Sequence, residues 1–292
     1  MRKLAFAVAV AMLTNAGVQT AIAAETKKPA ATSAKKPSAK AAVAAAATFS
    51  TASVAALSAF PQLDALNQKC ADAVAAGQPP QQAEPLCAQA LSEAQKLAPN
   101  TKFHANALSN QASLLAQQSK NAEAEASFKQ ALAMYESAQG PNHLAVATSL
   151  GQLAGFYYAT DRYAEAEPLY KRALFIDERA LGSDHPEVAK DMYNLANTQI
   201  LLGKHAEAEA MHRRCLTIRE KVLGSQDPAV ARSLVSMGAG FAMQGRYEEA
   251  SKVFLAALNI NEKALGAEHP QTEYCRRQLA SAQYNLTGSA TP

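Results

Sequence analysis

The chain has 292 residues, 49% hydrophobic and 6% aromatic with no Trp, and a formal net charge of +3. A balance this close to neutral excludes a strongly basic nucleic-acid binder. Apolar content drawn largely from Ala suits closely packed helices better than one thick core.

Residues 1-23 have the form of a secretory signal peptide. Arg2 and Lys3 give a positive start, Leu4 to Leu13 a short apolar run, and Ala21-Ile22-Ala23 a small-x-small cleavage site. The run falls well short of the about 20 residues that span a bilayer. It therefore predicts export with cleavage, into the periplasm of a Gram-negative bacterium, rather than a membrane anchor. No Cys lies near the cleavage site, which argues against lipid attachment there. Residues 24-58 are low-complexity Ala, Lys, Pro, Ser and Thr, a composition that cannot bury enough apolar surface to offset its ordering entropy. They read as a disordered tether. Lys27, Lys28, Lys35, Lys36 and Lys40 offer contact with cell wall or anionic membrane, against the plainer reading of a solvated spacer. The remaining residues hold 21 basic and 24 acidic side chains, near −3.

Residues 59-100 look like a degenerate helical hairpin. Leu63, Leu66 and Cys70 mark one helix, Gly77-Gln78-Pro79-Pro80 a turn, and Ala83 to Leu97 another. Cys70 and Cys87 sit at depths in the two helices that can bring them together, and are disulfide candidates in an exported chain. Cys215 and Cys275 fall two hairpins apart, too far to be bridged.

Residues 101-292 are more regular. Thr101 to His143 carries Leu108, Ala112 and Leu115, then Ala124, Phe128, Ala131 and Leu132, and closes at Gly140. Three 42-residue copies follow: Ala145 to Pro186, Glu187 to Pro228 and Ala229 to Pro270. The first and third match at 18 of 42 positions, too many for shared composition, so the period marks a stacked repeat. In the first copy Leu150, Leu153, Ala154 and Tyr157 form one helical face. Tyr163, Ala166, Tyr170, Ala173, Leu174, Ile176 and Leu181 form a second. Asp161 suits an N-cap of the second helix, Gly182 a left-handed C-cap, and Pro186 the first turn of the next helix. Small residues recur where helices must approach: Ala154, Ala166 and Ala173, then Ala196, Ala208 and Cys215, then Gly238, Ala250 and Ala257. Pro168 interrupts its helix at the loss of one backbone hydrogen bond, and Glu84-Pro85-Leu86 repeats its Glu167-Pro168-Leu169 setting. Gln271 to Leu286 is a lone final helix, made polar by Arg276, Arg277 and Gln278 as a cap must be.

Leu153-Ala154, Tyr157, Tyr163, Ala166, Tyr170 and Ala173 resemble the tetratricopeptide repeat. The 42-residue period and the closing Ala180-Leu181-Gly182-Ser183-Asp184-His185-Pro186 are similar to its kinesin-light-chain variety. The resemblance covers Leu108 to the C-terminus and implies an all-α fold: an α-solenoid of about five helix-turn-helix repeats plus a C-terminal capping helix. It also implies that the first helix of each hairpin lines a concave groove, whose second, fifth, sixth, ninth and twelfth positions meet a ligand. Those positions are Asn106, Ser109, Asn110 and Ser113; Gln152 and Tyr158; Lys190, Tyr193, Asn194 and Asn197; Arg232 and Ser236; and Tyr274, Arg277 and Tyr284 of the cap. Their amides suit the backbone of an extended peptide and their cations a carboxylate. The set departs from the carboxylate-clamp form of the repeat, which carries a further basic residue where Ser236 stands.

No nucleophile elbow, phosphate-cradling glycine loop or paired carboxylate in an irregular loop marks an enzyme. His205, His212 and Cys215 step by seven and three residues as metal ligands sometimes do. However, His205 and His212 stand where the other copies have Tyr163 and Tyr247, and Tyr170 and Phe254, which are packing positions. The sequence thus predicts a non-catalytic scaffold, with no metal or cofactor, that binds another protein or extended peptide segment. The alternative is a structural envelope factor whose basic tether docks on cell wall or membrane while the repeats self-associate.

Overall fold

The computed structural model describes residues 51–288, with side chains from Phe60 onward. The segments expected to be a signal peptide and, for the most part, a tether lie outside these residues. The first helix starts at Thr51, inside the segment assigned to the tether.

Among the described residues there are eleven helices and no strand. The chain divides into two units, Met1–Pro141 and Asn142–Pro292. The first holds α1 (Thr51–Ala75), α2 (Pro80–Leu97), α3 (Lys102–Gln117) and α4 (Asn121–Gln139). The second holds α5 (Leu144–Ala159), α6 (Tyr163–Leu181), α7 (Pro186–Leu201), α8 (His205–Leu223), α9 (Pro228–Met243), α10 (Tyr247–Leu265) and α11 (Pro270–Thr287). From residue 102 on, the first helix of each hairpin starts at 102, 144, 186, 228 and 270, and the second at 121, 163, 205 and 247. The 42-residue sequence period is therefore the structural one.

The caps explain why the boundaries keep register. The N-cap residues of α5, α7, α9 and α11 are His143, His185, Asp227 and His269. Each accepts the backbone N–H two residues on, at 3.1, 3.2, 2.7 and 3.2 Å. A histidine Nδ1 here does the work of the more usual carboxylate or hydroxyl. Pro186, Pro228 and Pro270 follow directly, where a missing N–H leaves nothing unpaired.

Two turn assignments from the sequence need correction. Asp161 does not cap α6: the cap residue is Arg162, whose side chain makes no capping bond and pairs instead with Glu165. Asp161 instead takes a positive φ of 61°, and its carboxylate accepts from the Tyr163 hydroxyl. Ser119, Gly203 and Gly245 hold the same position with φ of 60°, 75° and 74°. Gly182 ends its helix with φ 89° and ψ 154°, outside the left-handed helical well. That region is open to Gly almost alone.

In the first unit, Cys70 and Cys87 form a disulfide with Cα atoms 4.8 Å apart. By the chain-entropy argument, a loop of this size stabilises by about 3 kcal/mol. The bond sits among Ala73, Val74, Ala83, Ala90 and Leu114, a core made mostly of small side chains. Asn110 and Gln117 of α3 donate to the Asn67 and Val74 carbonyls of α1, at 3.0 and 2.8 Å.

In the second unit every small position named from the sequence is buried. Tyr170, His212 and Phe254 are fully enclosed beside them, each at the same place in its hairpin. The outer faces are joined by recurring ion pairs: Glu167 with Lys204 at 2.7 Å and, one period on, Glu209 with Arg246 at 2.9 Å. Burial raises the Glu167 carboxyl, but Lys171 and Lys204 outweigh it and hold the group below its ordinary value.

Candidate partner-binding surface

The amides expected to meet a partner in the first unit are engaged internally. Asn106 accepts the Tyr135 hydroxyl, and Asn110 is bonded to α1. Ser109 is buried, and Ser113 donates to the Ser109 carbonyl at 3.0 Å. Their bonding capacity holds the unit together.

In the second unit the expected residues separate into two groups. Tyr158, Tyr193 and Asn197 are buried, and so act from within rather than as free surface. The Tyr158 ring meets Tyr163 edge-on at 5.4 Å. Lys190 pairs with Glu187 one turn earlier in α7. Gln152, Asn194 and Tyr274 are half-buried, while Arg232, Arg277 and Tyr284 are exposed. Ser236 of α9 donates to the Tyr193 hydroxyl of α7 at 2.9 Å, which shows that successive first helices lie side by side with these positions facing each other.

The sequence reading missed the residue beneath that bond. Arg219 of α8 donates from Nη1 to the Ala229 carbonyl at 3.0 Å and to Ser233 Oγ at 2.7 Å. Its guanidinium lies 4.7 Å from the centre of the Tyr193 ring. Burial above all pulls this guanidinium below its ordinary pKa, with Arg232 adding to the fall and Cys215, Tyr193 and Asp227 opposing it. The position had a signal: one period apart it reads Tyr135, Asp177, Arg219 and Asn261, polar in every copy. Three of these reach the next first helix at one recurring place: Asp177 meets Asp191, Arg219 meets Ser233, and Asn261 meets Cys275 at 3.3 Å.

Asp177 and Asp191 form a buried acid pair. Burial first, and then the Asp177 charge, push Asp191 well above the usual carboxylate range, so Asp191 is the donor and Asp177 the acceptor. Two carboxyls this close and dry retain a proton between them. Lys190 opposes the rise at both carboxyls and His185 opposes it at Asp177, while Glu187 adds to it at both.

The two histidines flagged from their spacing line one small cavity with Glu209, Met237 and Phe241. His212 is held down to about 3 by burial first and Arg219 second, and its ring packs edge-on to Tyr193 at 5.8 Å. Cys215 is buried beneath Ala189, donating to its carbonyl at 3.1 Å, and burial raises its thiol. Among the described residues, no three His, Cys, Asp or Glu side chains are arranged to hold a metal ion.

The tetratricopeptide repeat family matches in four overlapping windows, residues 103–174, 145–221, 191–263 and 229–289. No curated protein sequence matches the chain. Among solved structures, it is similar to a putative kinesin light chain of Podosopora anserina with nearly identical TPR-like repeats, at 25% identity and a TM-score of 0.56. That match covers 62% of this chain and 85% of the other. BtubC (BKLC) from P. vanneervenii shares the fold at 24% identity and a TM-score of 0.63, over 78% of this chain and 92% of that one. With helix pairs that keep a 42-residue register and family matches over more than half of its length, the chain belongs to the tetratricopeptide repeat family.

Proposed function

We propose that the chain is a non-catalytic scaffold of the bacterial envelope that holds an extended segment of a partner polypeptide against the first helices of its second unit. One observation carries this reading. Gln152, Asn194, Arg232 and Arg277 have no side-chain bond among the described residues, although they stand on successive neighbouring helices. On the outer faces, Glu167, Glu178, Glu209 and Glu262 are all taken up in ion pairs. Open amides and cations in a row suit the carbonyls and carboxylates of an extended chain. Placement outside the cytoplasm is supported by the signal-like N-terminus and by the disulfide, a bond that persists in oxidising compartments.

A photo-crosslinking amino acid placed at Gln152 or Asn194, in cells making the full chain, tests the surface. Adducts to another protein from these positions, and none from exposed Thr217 on α8, are expected. Adducts from Thr217 alone would show that the inner helices are not the binding face. Fractionation of the same cells checks the compartment.

A further inference from the structure

The arginines of the second unit differ in what they meet. Arg162, Arg213, Arg214, Arg246 and Arg276 each meet a carboxylate. Arg179, Arg219, Arg232 and Arg277 make no ion pair among the described residues, Arg179 lying over the Phe175 ring of its own helix. Of these, Arg219 is the one whose direction is fixed by other helices. Its Nη1 is held by Ala229 and Ser233 of α9, and its plane by the Tyr193 ring of α7. Tyr193 is itself fixed by Ser236. The guanidinium is thus oriented by two helices other than its own, while Nε and Nη2 have no protein partner and are not sealed from solvent. A half-buried cation with no ion pair, beside the unpaired Arg232 and drawn to Asp227 only at longer range, is an unfavourable arrangement unless an anion completes it. Arg214, Arg246 and Arg276 each find a glutamate on a neighbouring helix, whereas Arg219 finds no carboxylate within ion-pair distance.

We propose that Arg219 anchors an acidic stretch of the bound polypeptide, one Asp or Glu carboxylate taking its open Nε and Nη2 edge while neighbouring acids meet Arg232 and Arg277. This rests on the partner-binding reading given above and narrows it. The planar fork of an arginine matches a carboxylate through two parallel hydrogen bonds, and holding the fork in place beforehand reduces the ordering cost of binding. Three unpaired arginines on α8, α9 and α11 exceed what one C-terminal carboxylate can satisfy, so the occupant is an acidic segment rather than a chain end. Arg219 lies on the second helix of its hairpin, outside the first-helix positions that the repeat pattern assigns to ligand contact.

The test is selection of a phage-displayed random dodecapeptide library on the immobilised full chain, followed by binding of the enriched peptides in solution. Enrichment in Asp and Glu is expected, with affinity that falls as salt rises. Arg219→Gln should weaken the enriched peptides at least tenfold, and Arg214→Gln, whose partner is Glu178, should leave them unchanged. Should Arg219→Gln lose its helical circular dichroism, the exposed pair Arg232→Gln and Arg277→Gln takes its place and must also weaken binding. Peptides without acidic enrichment that still crosslink to position 152 or 194 would overturn the acidic anchor and leave the inner surface standing. Acidic peptides that bind these variants as they bind the parent chain would overturn it as well. Failure to select any peptide would overturn both readings.

Discussion

Gly238 is the sharpest test of the packing account. It occupies a buried small position in α9, and a Cβ built there would stand 2.6 Å from Cε1 of Phe254 and 2.9 Å from Cδ1 and Cζ. Ordinary carbon contacts lie near 3.5–4.0 Å, so the ring would have to retreat by about 1 Å. It has little room, being 1% exposed and packed with Ala250 and Ala257 in the same core. Overpacking of this kind costs about 1–3 kcal/mol. Against that, replacing Gly by Ala in a helix interior gains up to about 1 kcal/mol. Gly238→Ala should therefore lose about 1–2 kcal/mol net. Gly151→Ala, whose added Cβ meets nothing within 4 Å, should gain about 0.5–1 kcal/mol from propensity alone. Urea unfolding followed by circular dichroism, with midpoints compared between the two variants, reads the difference directly. A Gly238→Ala protein as stable as Gly151→Ala would refute the claim that ring and backbone are in forced proximity.

The acid pair gives a pH dependence. Asp191 has a folded pKa above its unfolded one, so its contribution is intact below about pH 3.9 and declines as pH rises toward the folded value. Asp191→Asn should thus stabilise more at pH 7.5, by about 1–3 kcal/mol, than at pH 4; equal effects on thermal midpoints at the two pH values would contradict a shared proton. Ser119→Gly should raise stability by about 0.5–1 kcal/mol, because Ser119 holds a φ of 60° where later copies have Gly, and calorimetry showing a loss would deny strain there. Lys190→Ala combined with Arg232→Ala should weaken partner capture with helicity unchanged by circular dichroism, and undiminished capture in a pull-down from envelope extracts counts against the inner surface.

The fold was legible because the repeat restates one set of instructions. A Gly at 140, 182, 224 and 266 and small residues at fixed steps leave few alternatives to helix pairs of constant length. The turn geometry was harder to read. Asp161 looks like an N-cap by residue type, yet the later copies place Gly203 and Gly245 at that position, and a Gly there marks positive φ rather than a capping oxygen. The binding surface was legible only as a set of positions. Tyr193 and Asn197 lie at expected places but are buried, because in this chain α7 is the most enclosed of the first helices; Asp191, Thr198 and Gln199 are buried on it as well.

What the period hid is the place where the copies differ most. Tyr135, Asp177, Arg219 and Asn261 share one register position while changing from hydroxyl to acid to cation to amide. A position that served packing alone would have stayed apolar, since a buried polar group needs a partner to be tolerated. Its partners in the next helix change with it: Asp191 is an acid beside an acid, Ser233 a hydroxyl beside a cation, and Cys275 a soft acceptor beside an amide. Each joint between hairpins therefore carries its own chemistry inside a common frame. The joint that leaves a cation without an ion pair is the one at Arg219, beside the Tyr193–Ser236 bond that links two first helices. A scaffold whose frame repeats gains selectivity from such departures, and a partner lacking a carboxylate at that joint would leave the cation unanswered.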